Sequence, residues 1–423
     1  MPLSTFVDSF SVLAADAVGT TYVRTGYGFQ PKSGLVWTCG RNSAGVDSVG
    51  GGNYRYNIGC FVSTTSRRAL GGHSQDGAAA GDCDHIKRTT ECVLTQVAGG
   101  TVDGALDISA IGSDGMTFIV DDQFGADIRV FVWAHGGSDI TNTEIGTFQN
   151  ILVTGQQTVT LAGAFQPDVV FFLPSRTTAV TSQADAKVNI GFGLTATKMG
   201  MLCIESEDGA TTSDTFRHCS SDLCLSFWNA APSTTNAFGG FAEYDGPVST
   251  GFIVNWLAAE GTARDIYYLA IKGGRWDSGS LQTRTDGNDI VVSGLAFQPT
   301  GILFLSHGNP ETTGNDTADA NCIASIGAAS SITNRACAAI SDQDGLADME
   351  VATALEFDEV YIHMNLADNF DGLMDLKSVE STGFTCVMDD FDPSANFVLW
   401  MAAGSAAAAA DELLQSRRMI SVP

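Results

Sequence analysis

The stretch Phe29-Gln30-Pro31 decides the fold, because the same three residues recur as Phe165-Gln166-Pro167 and Phe297-Gln298-Pro299. Each copy is followed, 86 residues after its phenylalanine (115 − 29, 251 − 165 and 383 − 297), by a glycine that opens an apolar run. The three glycines are Gly115, Gly251 and Gly383. A register kept three times over such a distance indicates a tandem triplication of one unit of about 135 residues.

A second repeated marker is an Asp-Gly pair inside each unit. The three copies read Gln75-Asp76-Gly77, Glu207-Asp208-Gly209 and Gln343-Asp344-Gly345. Asp-Gly is typical of hairpin turns, because glycine adopts positive φ without strain and aspartate bonds its own backbone. We interpret the pairs as turns and not as catalytic acids, since no partner carboxylate is repeated beside them.

The segments between these markers predict strands. They are short, rich in β-branched and aromatic residues, and bounded by Gly, Asp, Asn and Ser. Alternating apolar and polar residues favour half-buried antiparallel strands over helices. A unit of about 135 residues is long enough to bury its own two-sheet core. We predict an all-β protein of three tandem β-sandwich repeats, jelly-roll-like, which can arrange as a pseudo-trimer. The phenylalanine of each Phe-Gln-Pro is expected to anchor a core, with the proline at the strand's entrance.

The repeat also predicts the domain organisation. Glycine pairs end the closing strands near Gly137 and Gly274, which gives repeats at residues 1–137, 138–274 and 275–404. Residues 405–423 form a tail in which acids precede arginines, as the helix macrodipole prefers. We predict a short helix there, and a frayed terminus is the alternative.

Charge excludes one class of partner and suggests another. The 423 residues carry 21 Lys and Arg against 48 Asp and Glu, a net charge of −27, which argues against nucleic acid. The imbalance grows along the chain: 9 basic against 13 acidic residues in the first repeat, 6 against 13 in the second and 4 against 20 in the third. We expect the least acidic repeat to lie nearest a partner surface. Its candidate partner-binding residues are Arg41, Arg55, Arg67, Arg68, Lys87 and Arg88. The alternative is that Arg67 and Arg68 simply flank a strand in solvent.

No targeting or membrane segment is predicted. The opening residues 1–5 lack a basic region and an apolar core, so we expect no signal peptide, and no apolar run is long enough to span a membrane. The ten cysteines do not repeat between copies, which favours reduced, buried thiols over a disulfide framework.

Candidate chemistry is sparse. Cys83-Asp84-His85 with Cys92, and His218-Cys219 with Cys224, lack the paired spacing of a zinc site. The acidic pairs Asp121-Asp122 and Asp389-Asp390 and the segment 315–319 could bind calcium, but acidic loop caps are commoner. No nucleophile elbow, phosphate loop or dinucleotide fingerprint is present. We therefore predict no catalytic residue, no cofactor and no metal, and thus not an enzyme.

The motifs resemble a β-sandwich module of tailed-phage virion proteins. In that family Gly-Phe-Gln-Pro precedes a strand, Gly-Phe-Thr follows later, and an aromatic strand ends near Lys-Gly or Gly-Gly. The matching segments are Gly28-Phe29-Gln30-Pro31-Lys32, Phe165-Gln166-Pro167-Asp168, Gly383-Phe384-Thr385 and Lys272-Gly273-Gly274. The resemblance covers residues 1–404 and departs at Ala403-Gly404-Ser405. It implies a virion protein, assembled in the host cytoplasm, whose partners are the major capsid protein or tail proteins.

Two functions fit this context. One is a capsid decoration or cement protein on the outer particle surface, where three fused sandwiches match local threefold positions and fusion removes association entropy. The alternative is a tail-fibre or tail-tip module that binds host surface glycan, with aromatic platforms at Trp37, Trp228, Trp256 and Trp276. Partners are then other virion proteins, further copies of this chain or a glycan, and neither nucleic acid nor membrane.

Overall fold

The structure is a computed structural model that describes residues 2–43, 47–229, 231–311 and 317–405. These residues form an all-β protein, and their one helical element is the 3-10 turn Ala98–Gly100. No helix in this described part is long and apolar enough to cross a membrane. The helix predicted in the C-terminal tail falls on residues 406–423, which lie outside the described residues.

Each repeat contributes eleven strands within the described residues. The strands of the first repeat are β1 (Ser4–Val12), β2 (Thr21–Thr25), β3 (Pro31–Thr38), β4 (Ser48–Gly51), β5 (Tyr54–Phe61), β6 (Arg67–Ser74), β7 (Cys83–Arg88), β8 (Val93–Val97), β9 (Thr101–Gly112), β10 (Gly115–Asp122) and β11 (Ile128–Gly136).

The second repeat follows in the same order. Its strands are β12 (Asn142–Gln149), β13 (Gly155–Thr160), β14 (Val169–Pro174), β15 (Gln183–Ala184), β16 (Ala186–Thr195), β17 (Lys198–Ser206), β18 (Thr215–Ser220), β19 (Leu225–Trp228), β20 (Phe238–Val248), β21 (Gly251–Ala258) and β22 (Asp265–Lys272).

The third repeat completes the set. Its strands are β23 (Arg275–Gln282), β24 (Ile290–Ser293), β25 (Pro299–Ser306), β26 (Asp319–Ala320), β27 (Cys322–Ser331), β28 (Asn334–Asp342), β29 (Val351–Glu356), β30 (Tyr361–Met364), β31 (Phe370–Glu380), β32 (Gly383–Asp390) and β33 (Phe397–Gly404).

The three repeats share one sandwich topology, as the equal intervals predicted. In the first repeat a large sheet has the order β1-β11-β3-β5-β6-β7 and a small sheet has the order β2-β10-β9-β8. The corresponding strands of the second and third repeats follow the same two orders. In each repeat the first strand pairs with the last strand in the large sheet, and the second strand pairs with the next-to-last strand in the small sheet. Strand pairs that pass together from one sheet to the other are the jelly-roll feature of the fold.

The large sheets are joined by strand exchange, which the sequence did not predict. The fourth strand of each repeat leaves its own sandwich and adds to the large sheet of another repeat. Strand β15 pairs with β7, β26 pairs with β18, and β4 pairs with β29. The second repeat is thus joined to the first, the third to the second and the first to the third, so the exchange closes a ring of approximate threefold symmetry.

Each large sheet buries both of its faces. One face packs on the small sheet of its own repeat and forms a separate core, for example around Phe118 and Val132 in the first repeat. The opposite face joins a shared core that draws on all three repeats. Members of the shared core include Trp37, Trp133, Phe171, Leu269, Leu303 and Met401. Burial on both faces explains why strands such as β14 are apolar at every position.

The predicted anchor phenylalanines are buried. Phe29, Phe165 and Phe297 are 2%, 9% and 4% exposed and lie in the three separate cores. In the first and third repeats the anchor ring packs against a glycine of the closing strand, where an added Cβ would come within 2.2 Å of Phe29 Cδ2 or 2.3 Å of Phe297 Cδ2. Pro31 and Pro299 open strands β3 and β25, as expected of a residue without an N–H.

The predicted repeat boundaries fall close to short connections. The segment between β11 and β12 spans residues 137–141, and only Gly273 and Gly274 separate the end of β22 from the start of β23 at Arg275. The division into domains at these points stays a prediction. Because every repeat holds a strand of another, we expect cleavage at either connection to leave the three repeats associated.

Candidate partner-binding surface

The Asp-Gly pairs lie at one end of the large sheets and join the repeats to one another. Each aspartate accepts a hydrogen bond from the backbone N–H that opens the seventh strand of the neighbouring repeat. Asp76 Oδ1 accepts from Val351 at 3.1 Å, Asp208 Oδ1 from Cys83 at 3.2 Å, and Asp344 Oδ1 from Thr215 at 3.0 Å. The pair is a turn, as predicted, and also a contact between repeats, which sequence reasoning missed.

The glycines of the same turns also form hydrogen bonds between repeats. The N–H groups of Gly77, Gly209 and Gly345 donate to the carbonyls of Met349, Gly81 and Ser213 at 2.7–2.8 Å. We call this region the Asp-Gly end. Its turns connect the same repeats as the exchanged strands, so the two features reinforce one closed ring.

Three residues at equivalent positions meet beside these turns. Ser74, Ser206 and Asp342 each directly precede an Asp-Gly turn triplet. Both serine hydroxyls donate to Asp342 Oδ2, at 2.8 and 2.7 Å. Asp342 is fully buried, and burial raises the pKa of its carboxyl to about 7, assisted by the nearby charges of Asp76 and Asp344. The approximate threefold axis therefore passes through a polar group made of two serines and one aspartate.

The opposite end of the large sheets carries the Phe-Gln-Pro segments, and we call it the Gln-Pro end. Gln30, Gln166 and Gln298 are all exposed, between a buried phenylalanine and a buried proline. None of the three glutamine side chains has a hydrogen-bond partner among the described residues. The phenylalanine and proline are explained by packing, whereas the glutamine is identical in three diverged repeats without an internal side-chain hydrogen bond that requires it.

Grooves open beside these glutamines where two repeats meet. One groove of about 480 Å³ lies between the first repeat and the start of the second, and is lined by Gln30, Pro31, Ser63, Thr64, Asn142 and Thr143, among others. Its counterpart of about 630 Å³ lies between the third repeat and the start of the first, and its lining includes Gln298, Pro299, Ser330, Ser331, Ser4 and Thr5. Both grooves present amide and hydroxyl groups beside a proline, so they suit polar contacts with another molecule.

The six basic candidates are engaged inside the chain. The Arg41 guanidinium donates to Ser48 Oγ at 2.8 Å, to the Val49 and Gly50 carbonyls at 3.1 and 3.2 Å, and to Thr353 Oγ1 at 3.3 Å. Arg41 thereby holds the exchanged strand β4 against the third repeat.

Three more of these cations lie where the first and second repeats meet. Lys87 pairs with Asp265, and both Lys87 Nζ and the Arg68 guanidinium lie over the ring of Tyr267, 5.7 and 5.3 Å from its centroid. Arg88 donates to the Val180 carbonyl at 2.6 Å. Their side chains thus contact a neighbouring repeat, and an assignment of these residues to an external partner stays a prediction.

The last two candidates pair within the first repeat. Arg55 pairs with Asp103 at 2.7 Å, and Arg67 pairs with Asp107 and also donates to the Thr90 carbonyl. Because the three repeats surround one axis, the difference in acidity between them runs around the ring and not from one face to the other.

The tryptophans considered as sugar platforms pack inside the protein. Trp37, Trp228 and Trp256 are buried, at 2%, 0% and 1% exposure. Trp276 is partly buried and lies edge-on to Trp133 and Phe171. Buried indole faces cannot stack on a glycan, so stacking on Trp37, Trp228 and Trp256 is ruled out.

The sequence clusters considered for metals are separated by the fold. All ten cysteines are free and buried. Cys83 belongs to the shared core and Cys92 to the first repeat's own core, and Cys219 and Cys224 are divided in the same way. Asp121, Asp122, Asp389 and Asp390 are exposed at strand ends, and residues 315–316 lie outside the described residues.

Two groups of metal-capable side chains do come together in the described residues. They are His73 with Asp82 and Asp84, and Asp47 with Glu356 and Asp358. Of these residues only Asp84 belongs to a cluster that the sequence had indicated. The others are brought together by strand pairing between positions that no sequence spacing reveals.

Two comparisons with known proteins find no match. No protein-family model and no curated protein matches the chain. Among solved structures, the siderophore receptor PirA from Pseudomonas aeruginosa aligns at 10% identity over 88% of this chain and 80% of that chain, with a TM-score of 0.08. A TM-score this low gives no basis for a shared fold.

Proposed function

We propose that this chain is a non-enzymatic structural protein of a phage virion, a decoration or cement protein on the outer surface of the capsid. The observation that carries the proposal is the closed ring of three equivalent sandwiches in one chain, joined by β4, β15 and β26. Such a ring presents nearly the same surface three times around an axis. The virion context rests on the resemblance of the Gly-Phe-Gln-Pro and Gly-Phe-Thr motifs.

A threefold ring suits a threefold site. Where three capsid subunits meet, each repeat can make the same contact with a different subunit. Linking the three contacts in one chain raises the effective concentration of the second and third contacts after the first has formed. Modest individual contacts then add up to firm attachment without a large interface in any one repeat.

The Gln-Pro end is the surface that we assign to docking. Gln30, Gln166 and Gln298 give it an identical exposed group in each repeat. Acids near this end are paired: Asp168 accepts from the Gly273 N–H at 2.6 Å and pairs with Lys272 at 3.3 Å, and Asp139 accepts from the Leu3 N–H at 3.1 Å. The Asp-Gly end gathers Glu207, Asp208, Asp214 and Asp344 around one depression. This end is expected to face solvent, where like charge keeps particles apart.

Electron cryomicroscopy of purified particles tests the proposal. We expect density for the three sandwiches on the outer surface of the head, at local threefold positions, with the Gln-Pro end toward the shell. Density at the tail tip, or absence of the protein from the particle, would contradict it.

A triple variant tests the docking surface separately. Replacing Gln30, Gln166 and Gln298 by alanine should leave the fold intact and reduce occupancy on particles at least tenfold. A matched control replaces Thr211, Thr212 and Asp348, which are exposed at the Asp-Gly end, and should keep full occupancy. Equal occupancy of both variants would remove the Gln-Pro end from the interface.

The second candidate is a tail module that binds a host glycan. The observation in its favour is the pair of amide- and hydroxyl-lined grooves at the Gln-Pro end. Density at the tail, together with saturable binding of host surface polysaccharide that the triple glutamine variant loses, would support this function over the first.

A further inference from the structure

Strand β6 carries a buried histidine. His73 is 0% exposed, and neither Nδ1 nor Nε2 has a partner among the described residues. A buried imidazole normally donates from one nitrogen and accepts at the other. Two unpartnered nitrogens in one buried ring are therefore costly and call for a ligand.

Two carboxylates face this imidazole. Asp84 on β7 is the direct cross-strand partner of His73, and Asp82 lies just before the same strand. One ligand atom from each of the three side chains lies within 4.8 Å of the others. Ligand atoms sit about 2.0–2.2 Å from a bound zinc ion, so small side-chain rotations bring all three onto one ion.

The surroundings hold these groups in place. The turn Ala98–Gly100 covers the cluster, and the Gly99 N–H donates to Asp82 Oδ1 at 3.0 Å. On the other side, Ser182 Oγ, which belongs to the second repeat, donates to Asp84 Oδ1 at 3.4 Å. An added Cβ on Gly100 would lie 2.3 Å from Ser182 Oγ and 2.8 Å from Asp84 Oδ1, so only glycine fits at this position.

The cluster places two carboxylates beside one imidazole. Burial and the charges of Asp208 and Asp82 raise the pKa of the Asp84 carboxyl to about 6. The charge of Arg55 also acts on His73, but Arg55 is already paired with Asp103 at 2.7 Å. Burial lowers the pKa of His73 to about 4, which leaves a neutral imidazole with a free lone pair at neutral pH.

We propose that His73, Asp82 and Asp84 form a binding site for one divalent transition-metal ion, with zinc as the preferred probe. One imidazole nitrogen and two carboxylates suit zinc or manganese better than calcium, which takes six to eight oxygen ligands. With three protein ligands, the fourth position of a tetrahedral ion is open to water.

The described positions of the second and third repeats do not repeat this site. The cross-strand pair equivalent to His73 and Asp84 is Glu205 and Phe216 in the second repeat, and Ser341 and Ala352 in the third. Neither pair offers an imidazole. The single site lies where exchanged strand β15 joins the first repeat, since Ala184 pairs with Asp84. A bound ion therefore ties together the residues that hold β15 and stabilises this one junction of the ring.

Calorimetric titration of chelator-treated full-length protein with zinc chloride, and then with manganese chloride, tests the proposal. We expect one zinc ion per chain and a raised melting temperature. Asp84→Asn and His73→Gln should each weaken binding about 100-fold or more. Glu350→Gln, at the third repeat's counterpart of Asp82, is the matched control and should bind as wild type.

Cobalt substitution reports on the ligands of the bound ion even if a variant is less stable than the wild type. The visible spectrum of Co²⁺ bound to wild-type protein should show low-coordinate nitrogen and oxygen ligation, and the His73→Gln protein should lack it while its circular dichroism is unchanged. No binding of zinc or manganese by the wild type at millimolar concentration would overturn the proposal. Unchanged binding by both site variants would also overturn it, because the ion would then sit elsewhere, such as at Asp47, Glu356 and Asp358.

Discussion

The two ends of the ring keep identical residues in all three repeats for different reasons. At the Asp-Gly end the aspartates are identical because each accepts a backbone N–H from another repeat. At the Gln-Pro end the glutamines are identical although none of their side chains has a hydrogen-bond partner among the described residues. Hydrogen bonds within the molecule explain the identical aspartates, whereas the identical glutamines indicate a contact with another molecule.

The residues at the approximate threefold axis show the opposite relation between contact and identity. Ser74, Ser206 and Asp342 touch one another, yet they are not identical. Three aspartates there would bring three carboxylates together, which like-charge repulsion disfavours. A fused chain can place one acid and two hydroxyl donors around its axis, an arrangement that three identical subunits could not form.

The largest expected effect on the free energy of unfolding is that of Phe165, whose neighbour Gln166 in the same Phe-Gln-Pro segment is expected to have one of the smallest. Phe165→Ala should lower the free energy of unfolding by about 3–5 kcal/mol, because it leaves a cavity in a closed core. Urea denaturation followed by tryptophan fluorescence measures the change. Because the shared core and the exchanged strands couple the repeats, we expect one transition and not a separate early melt of the second repeat. Unchanged stability would show that the phenylalanine is not an anchor.

A smaller effect is expected for the turn contact. Asp344→Ala leaves the N–H of buried Thr215 without its acceptor and should cost about 1–2 kcal/mol. Asp344→Asn also removes the charge but keeps an acceptor oxygen, so the difference between the two variants measures the hydrogen bond. If alanine and asparagine behave alike in urea denaturation, the contact does not hold the repeats together.

The axis predicts a pH dependence. The folded pKa of Asp342 is about 7, above the value near 3.9 expected for an unfolded chain. Between these values the folded state binds more protons, so this carboxyl makes the free energy of unfolding fall as pH rises toward 7 and level off above it. Asp342→Asn should remove that contribution, and its advantage over wild type should grow from pH 5 to pH 8. A constant difference across this range would contradict the buried-carboxyl interpretation.

The smallest expected effect concerns the glutamines. Alanine at Gln30, Gln166 or Gln298 should change the free energy of unfolding by no more than about 0.5 kcal/mol, as at other exposed sites without internal contacts. A loss above about 1 kcal/mol from any one of them would show an internal role and weaken the contrast between the two ends. The measurement is the same urea denaturation used for Phe165→Ala.

Much of a single repeat could be predicted from the sequence. The triplication, the strand-rich sandwich, the buried anchors and the proline at the strand's entrance follow from repeated residues and local chemistry. The shared core had a signal too, since unbroken apolar strands such as Val169–Pro174 are typical of sheets buried on both faces. Alternation of apolar and polar residues describes the strands of the small sheets better.

The contacts between repeats could not be predicted in the same way. Strand β15 is two residues long, and β4 reads Ser48-Val49-Gly50-Gly51, so neither shows a periodicity or a β-prone composition. The basic residues illustrate a second limit. A sequence shows that Arg41 and Lys87 are cations, but not that Arg41 holds an exchanged strand and Lys87 pairs with the next repeat.

Strand exchange also sets the order in which the chain can finish folding. As the chain leaves the ribosome, the first repeat cannot complete its large sheet until β15 of the second repeat has been made. Its own β4 must wait still longer, because its partner Ala352–Leu355 is about 300 residues downstream. Contacts this distant are slow to form and leave sheet edges open in the meantime. Nascent chains truncated before β29 should therefore expose β4 and be digested there by protease, whereas full-length chains should resist.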